Sequence, residues 1–201
     1  SSVLTELEEV GREWTVEELM IELRKEKIFM DESGGGVTFS GGEPLFQSGF
    51  LHEMLLACRS EGMHTAVDTS GYASEQIIEK LALMADLFLF DIKLINIQAH
   101  IQHTGVSNSI ILSNFDRLIS LGAKVRARIP LIPGVNTDKQ SLDEIFEFLK
   151  PYRNRIEGVD LLPFHDTASH KYERLGRINE FKGQKSISAE ELKFFQNMYT
   201  F

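Results

Sequence analysis

The chain has 201 residues, 42% hydrophobic and 25% charged, with 21 Lys and Arg against 30 Asp and Glu for a net charge of −9. This is the make-up of a folded globular protein that buries about 70% of its extended-chain surface, and the acidic balance argues against nucleic acid or an anionic membrane as main partner. The single cysteine, Cys58, excludes both a disulfide framework and a cysteine-ligated metal site built by this chain alone.

No apolar run approaches the roughly 20 residues of a membrane span, and the N-terminus does not read as a signal peptide. A cytoplasmic protein is expected. The first methionine is Met20, so the chain reads as a piece excised from something longer.

In chain order, the first expected element is a helix entered at Thr15. Thr15 and Glu18 have the spacing of a capping box, and Trp14 and Leu19 that of a hydrophobic staple. Five short apolar runs follow, at 36–39, 64–67, 87–90, 124–129 and 159–162. Their spacing of about 20 to 40 residues is that of strand–helix–strand units. Gly62 and Gly122 stand where helices would need a left-handed end residue, and Ser141 with Glu144 and Ser188 with Glu191 repeat the capping box.

The pattern predicts an α/β chain with a parallel sheet: one helix, then five strand–helix units in a single domain. The runs are nearly continuous in apolar residues, which predicts strands buried on both faces. A strand that should precede the first helix is missing or lies elsewhere. The strand at residues 37–39 is thus expected to present an open edge, covered by the Trp14 helix or by a second copy.

The unusual polar residues all fall at the carboxyl ends of these strands. They are Ser40, Gly41, Gly42 and Glu43 after the first run, and Asp68 and Thr69 after the second. Asp91, Ile92 and Lys93 close the third, Arg128 lies in the fourth, and His165 follows the fifth. In parallel sheets this is the face where ligands bind. Each feature also has a plain reading: a tight turn, a cap, a surface ion pair, a structural histidine. His100 and His103 read as solvated, Cys58 as a small core residue, and the stripe Ile145, Phe146, Phe148, Leu149 as core.

Together these residues suit a small zwitterionic ligand carrying a sugar. Backbone at Gly41 and Gly42 can approach it closely, Glu43 can accept from an ammonium, and Asp91 with Lys93 can serve hydroxyls or a carboxylate. Asp68 and Asp91 could also share a hard cation.

Six segments carry a resemblance: GGGVTFSGGEP (34–44), HTAVDTSG (64–71), DIK (91–93), TGVSN (104–108), IPLIPG (129–134) and LPFH (162–165). In this order and spacing they are similar to the glycyl-radical-enzyme activating enzymes of the radical S-adenosylmethionine (SAM) superfamily. The resemblance implies a partial (β/α)6, TIM-like barrel, here missing its first strand, with SAM bound across its top. It implies that Ser40, Gly41, Gly42 and Glu43 hold the methionine ammonium, and that Asp91, Ile92, Lys93 and His165 contact ribose, carboxylate or adenine. Asp68, Thr69 and Asp91 match a monovalent-cation site, and Arg128 a position facing the substrate peptide.

The resemblance further implies a [4Fe-4S] cluster that reductively cleaves SAM, a radical that takes hydrogen from a glycine of the partner enzyme, and flavodoxin or ferredoxin as electron donor. The family's CxxxCxxC motif is absent, and Cys58 matches none of its cysteines, so the chain alone is expected to lack the cluster and activity. Residues 1–13 would be the exit segment of an upstream cluster-bearing region. Two other readings stand beside this one: a barrel lyase using Lys93 as a Schiff-base amine, and a non-catalytic interaction module.

Overall fold

The computed structural model describes residues 12–164 and 186–199. His165 and nearly all of the expected exit segment lie outside the described residues.

Helix α1 (Val16–Ser33) starts where the capping box places it. Thr15 Oγ1 accepts from Glu18 N at 3.2 Å, while Thr15 N donates to the Glu18 carboxylate at 2.9 Å. Five strands follow: β1 (Val37–Phe39), β2 (Thr65–Thr69), β3 (Leu87–Asp91), β4 (Val125–Leu131) and β5 (Gly158–Pro163). Each overlaps its expected apolar run. Between and after them lie α2 (Ser48–Ser60), α3 (Glu75–Leu81), α4 (Ile97–Thr104), α5 (Ser109–Ser120), α6 (Lys139–Leu149) and α7 (Ala189–Met198). The β3–β4 connection carries two helices. Gly62 and Gly122 close α2 and α5 with φ of 68° and 84°.

The strands pair in sequential order, all parallel, into an open sheet with β1 and β5 at its edges. Side chains alternate between sheet faces, and the described helices pack against one of them. Val67, Phe88, Phe90, Val125, Ala127, Ile129 and Leu131 meet Leu55 of α2, Ile78 and Leu81 of α3, Phe115 and Leu118 of α5, and Leu142 and Ile145 of α6. Phe90 and Phe115 meet edge to face at 5.3 Å. Each fully buried phenylalanine contributes about 1.5–3 kcal/mol of transfer free energy.

Three expectations are corrected here. The strands are not buried on both faces: β4 alternates buried and half-exposed residues along its whole length. The second face carries Thr38, Asp68, Leu89, Asp91, Arg126, Arg128 and Asp160, as the register requires. Helix α6 is capped by Asp138, whose carboxylate accepts from Ser141 N at 2.9 Å, so Ser141 lies inside the first turn. His100 is buried, its Nδ1 2.8 Å from Val106 O and 2.9 Å from Thr104 Oγ1, where it ties down the loop after α4.

Cys58 packs in a second small cluster with Met20, Met54 and Met63, against the side chains of Val37 and Phe39. Helix α1 therefore lies beside β1. Among the described residues, however, β1 has a ladder partner on one side only. No helix among the described residues is long and apolar enough to cross a membrane.

Candidate functional site

At the carboxyl ends of β1 to β4 lies a pocket of about 290 Å³. The loop after β1 lines it with Ser40, Gly41 and Gly42, β2 with Asp68, Thr69 and Ser70, β3 with Asp91 and Lys93, and β4 with Arg128. Gly41 has φ 127°, a conformation open to glycine. A Cβ built on Gly41 or Gly42 meets no protein atom within 4 Å, so both face open space.

Glu43 shapes this loop. Its Oε1 accepts from Thr69 Oγ1 at 2.6 Å and Leu45 N at 3.2 Å, and its Oε2 from Ser70 N at 3.0 Å and Ser70 Oγ at 2.6 Å. A carboxylate has about four acceptor positions, and four donors already use them. Glu43 thus acts as a clasp between the β1 and β2 loops, and the residue that makes the clasp possible, Ser70, was not among the sequence candidates. Thr69 is also committed: its hydroxyl donates to Glu43 and accepts from Gly71 N at 2.9 Å. It faces away from Asp68, on the buried side of the strand.

Asp68 and Asp91 do come together, with Arg128 laid across them. Arg128 Nη1 is 2.9 Å from Asp68 Oδ2, and Arg128 Nε is 3.5 Å from Asp91 Oδ1. Lys93 Nζ donates to Asp91 Oδ2 at 3.3 Å. The positive charge between the two carboxylates is thus supplied by the protein, and Arg128 points into the charged cluster and is paired there. Among the described residues, no group of three or more His, Cys, Asp or Glu could hold a metal ion. Burial pushes the Asp68 carboxyl up from its ordinary range; Arg128 opposes this, while Asp91 and Glu43 add to it.

Ile92 does not face the pocket. Its side chain is in the core, and its backbone N–H donates to Arg128 O at 2.8 Å. Lys93 sits in a charged pocket open to solvent, not in the desolvated setting that activates a Schiff-base lysine.

Three buried asparagines brace the rim; Asn108 closes the TGVSN segment, whereas Asn114 and Asn136 lie outside every segment picked out from sequence. Asn114 holds the carbonyls of Gly71 and Ala73, Asn108 those of Leu94 and Ile95, and Asn136 those of Lys93 and Pro130, all at 2.8–2.9 Å. Asn114 carried a signal: it stands between Ile111 and Leu118 on the apolar stripe of α5, where a polar residue demands a partner.

The pocket suits SAM by its unspent bonding capacity. Asp91 Oδ1 and Arg128 Nε are buried, face each other at 3.5 Å and make no hydrogen bond, and the space beside Gly41 and Gly42 holds no protein atom within 4 Å of where a Cβ would stand. The same residues do not suit an iron–sulfur cluster. Cys58 is fully buried beside Met20, and burial, with the nearby charge of Glu61, pushes its thiol up to about 11.

The family model described as the radical SAM superfamily matches residues 5–153. Trans-4-hydroxy-L-proline dehydratase activating enzyme of Clostridioides difficile is 44% identical over 94% of this chain and 63% of its own length. Choline trimethylamine-lyase activating enzyme of Oleidesulfovibrio alaskensis is 38% identical over 92% and 60%. Pyruvate formate-lyase 1-activating enzyme of Escherichia coli is 36% identical over 91% and 75%. The chain therefore spans between 60% and 63% of the length of the first two relatives.

A solved domain of pyruvate-formate lyase-activating enzyme from Bacteroides vulgatus superposes with a TM-score of 0.67 at 32% identity, over 83% of this chain and 93% of that one. A radical SAM methyltransferase from Sphaerobacter thermophilus has the same TM-score of 0.67 at 17% identity, covering 94% of this chain and 55% of its own, which speaks for the fold alone. With the open parallel sheet and the rim pocket, these likenesses make the chain a member of the radical SAM superfamily, within its activating enzymes of glycyl-radical enzymes.

Proposed function

We propose that this chain is the SAM-binding barrel portion of a glycyl-radical-enzyme activating enzyme. The observation that carries the reading is the rim pocket. Four strand ends converge on it with a bare glycine cradle, two carboxylates and two cations. The backbone of Ser40, Gly41 and Gly42 would take the methionine ammonium, with Glu43 holding that loop in shape. Lys93 and Arg128 would face the ligand carboxylate, and Asp91 a hydroxyl.

In a parent that carried a [4Fe-4S] cluster, SAM held here would supply the group that removes hydrogen from a glycine of a protein partner. This chain's residues bind and orient the nucleotide. The cluster ligands would come from elsewhere in a longer parent, because one buried cysteine cannot supply them. The partner class is a glycyl-radical enzyme, with flavodoxin or ferredoxin as electron donor, in a cytoplasm where the Cys58 thiol stays reduced. A monovalent cation at Asp68 and Asp91 would have to displace Arg128, so we assign that charge-balancing role to the arginine.

The test is calorimetry with S-adenosylhomocysteine on the folded chain. Saturable binding, weakened by Gly42→Ala without loss of melting temperature, is expected. A folded chain that binds neither S-adenosylhomocysteine nor SAM overturns the reading. For the parent, anaerobic reconstitution with iron and sulfide followed by EPR should reveal a SAM-responsive cluster and a glycyl radical on the partner.

A further inference from the structure

The ladder between β3 and β4 stops early. Its last paired residues are Asp91 and Arg128, although β4 continues to pair with β5 as far as Leu131. The cause is Pro130. In this register the next rung would need the Pro130 N–H, which proline lacks. Lys93 thus leaves the sheet just where its side chain enters the pocket.

The side chain of Asn136 bridges the two strands just beyond that break. It is fully buried. Its Nδ2 donates at 2.8 Å to both Lys93 O and Pro130 O, and its Oδ1 accepts from Ile132 N at 2.8 Å. The deleted rung would have ended on Ile92 O; one residue further on, this amide bridges the two strand ends and pins the carbonyl of the residue whose ammonium holds Asp91. The turn that delivers it bends at Gly134, φ 73°, with Val135 N and Asn136 N both donating to Ile132 O.

We propose that Asn136 is a positioning residue: by bridging the strand ends just past the rung that Pro130 deletes, it sets where Lys93 and its partner Asp91 stand in the pocket. The role toward a ligand rests on the reading of the pocket as a SAM site; the role toward Lys93 does not.

The experiment uses the full chain, with S-adenosylhomocysteine as probe. Asn136→Ser should weaken binding about tenfold, the scale of one or two lost hydrogen bonds. Leu149→Ala, at the far end of α6, should lower melting temperature comparably and change affinity less than about twofold. In a Lys93→Met background Asn136→Ser should cost no further affinity, because its effect passes through Lys93. Asn136→Asp, which keeps the bond to Ile132 N, replaces the serine variant if that one does not fold.

Losses that simply add to Lys93→Met, or equal those of Leu149→Ala, overturn the proposal and leave the SAM reading standing. If the wild-type chain binds no S-adenosylhomocysteine, the SAM reading fails instead, and the Lys93 Cε–Hε NMR signal decides. A shift caused by Asn136→Ser and not by Leu149→Ala supports the positioning role; an unmoved signal overturns it.

Discussion

Thr69 Oγ1 donates to Glu43 Oε1 across 2.6 Å, a bond that joins loops 26 residues apart in sequence. With Ser70 supplying two more donors, the wall of the pocket depends on one carboxylate. Glu43→Gln puts an NH2 group where two donors already point. It should lower stability by about 1–3 kcal/mol in urea denaturation, and reduce S-adenosylhomocysteine affinity with it.

Arg128→Gln leaves Asp68 and Asp91 facing each other without their shared cation. Stability should fall by about 1–3 kcal/mol, at the lower end because the pair is partly exposed. Adding Asp68→Asn should recover part of the loss, a coupling that a double-mutant cycle in low salt reads directly. Arg128→Lys should not restore the wild type, because a point-like ammonium cannot span both carboxylates.

Gly71 has φ 72°, and a Cβ there would lie 2.1 Å from Phe90 Cζ. Gly71→Ala combines backbone strain of about 1–2 kcal/mol with overpacking of about 1–3 kcal/mol, and should destabilise the fold strongly in chemical denaturation. Gly42→Ala is the contrast: a Cβ there meets no protein atom within 4 Å, so stability should hold while ligand affinity falls.

Asp138 caps α6, and the hydrogen bonds from Ser141 Oγ and N hold its carboxyl below the ordinary carboxylate range. A depressed carboxyl contributes stability that is present above its unfolded pKa and lost as pH falls through the folded one. The loss should therefore appear only in acid, below about pH 4. Asp138→Ala should cost about 1 kcal/mol at neutral pH, and Asp138→Asn should keep the cap and abolish this acid-dependent part.

Cys58 should resist iodoacetamide at pH 8 in the native chain and react once urea unfolds it. Its thiol is fully buried and pushed up to about 11. Rapid native alkylation, read by mass spectrometry, would contradict the packing of α1 on α2.

The strands were legible because apolar runs of four to six residues have few other uses in a chain of this composition. What misled was their second face: Leu87 and Leu89 read as buried, yet they share a half-open face with Asp91 and Arg126. At the site, residue types were readable and partnerships were not. Nothing local to Arg128 says that register sets it opposite Asp91, or that Asp68 lies within reach. Asn136 was passed over in the sequence, since its partners Lys93 and Pro130 are brought together only by the fold. The capping of α6 was misplaced by three residues because Asp138 and Ser141 are equally good caps and only the geometry chooses.

The alternation along β4 separates two kinds of evolutionary freedom. Ala127 and Ile129 answer to the helices behind the sheet, whereas Arg126 and Arg128 answer to whatever lies in front. A change at the front alters the charges a ligand meets and the ion pairs of Asp68, Asp91 and Asp160, while the apolar contacts behind the sheet stay in place.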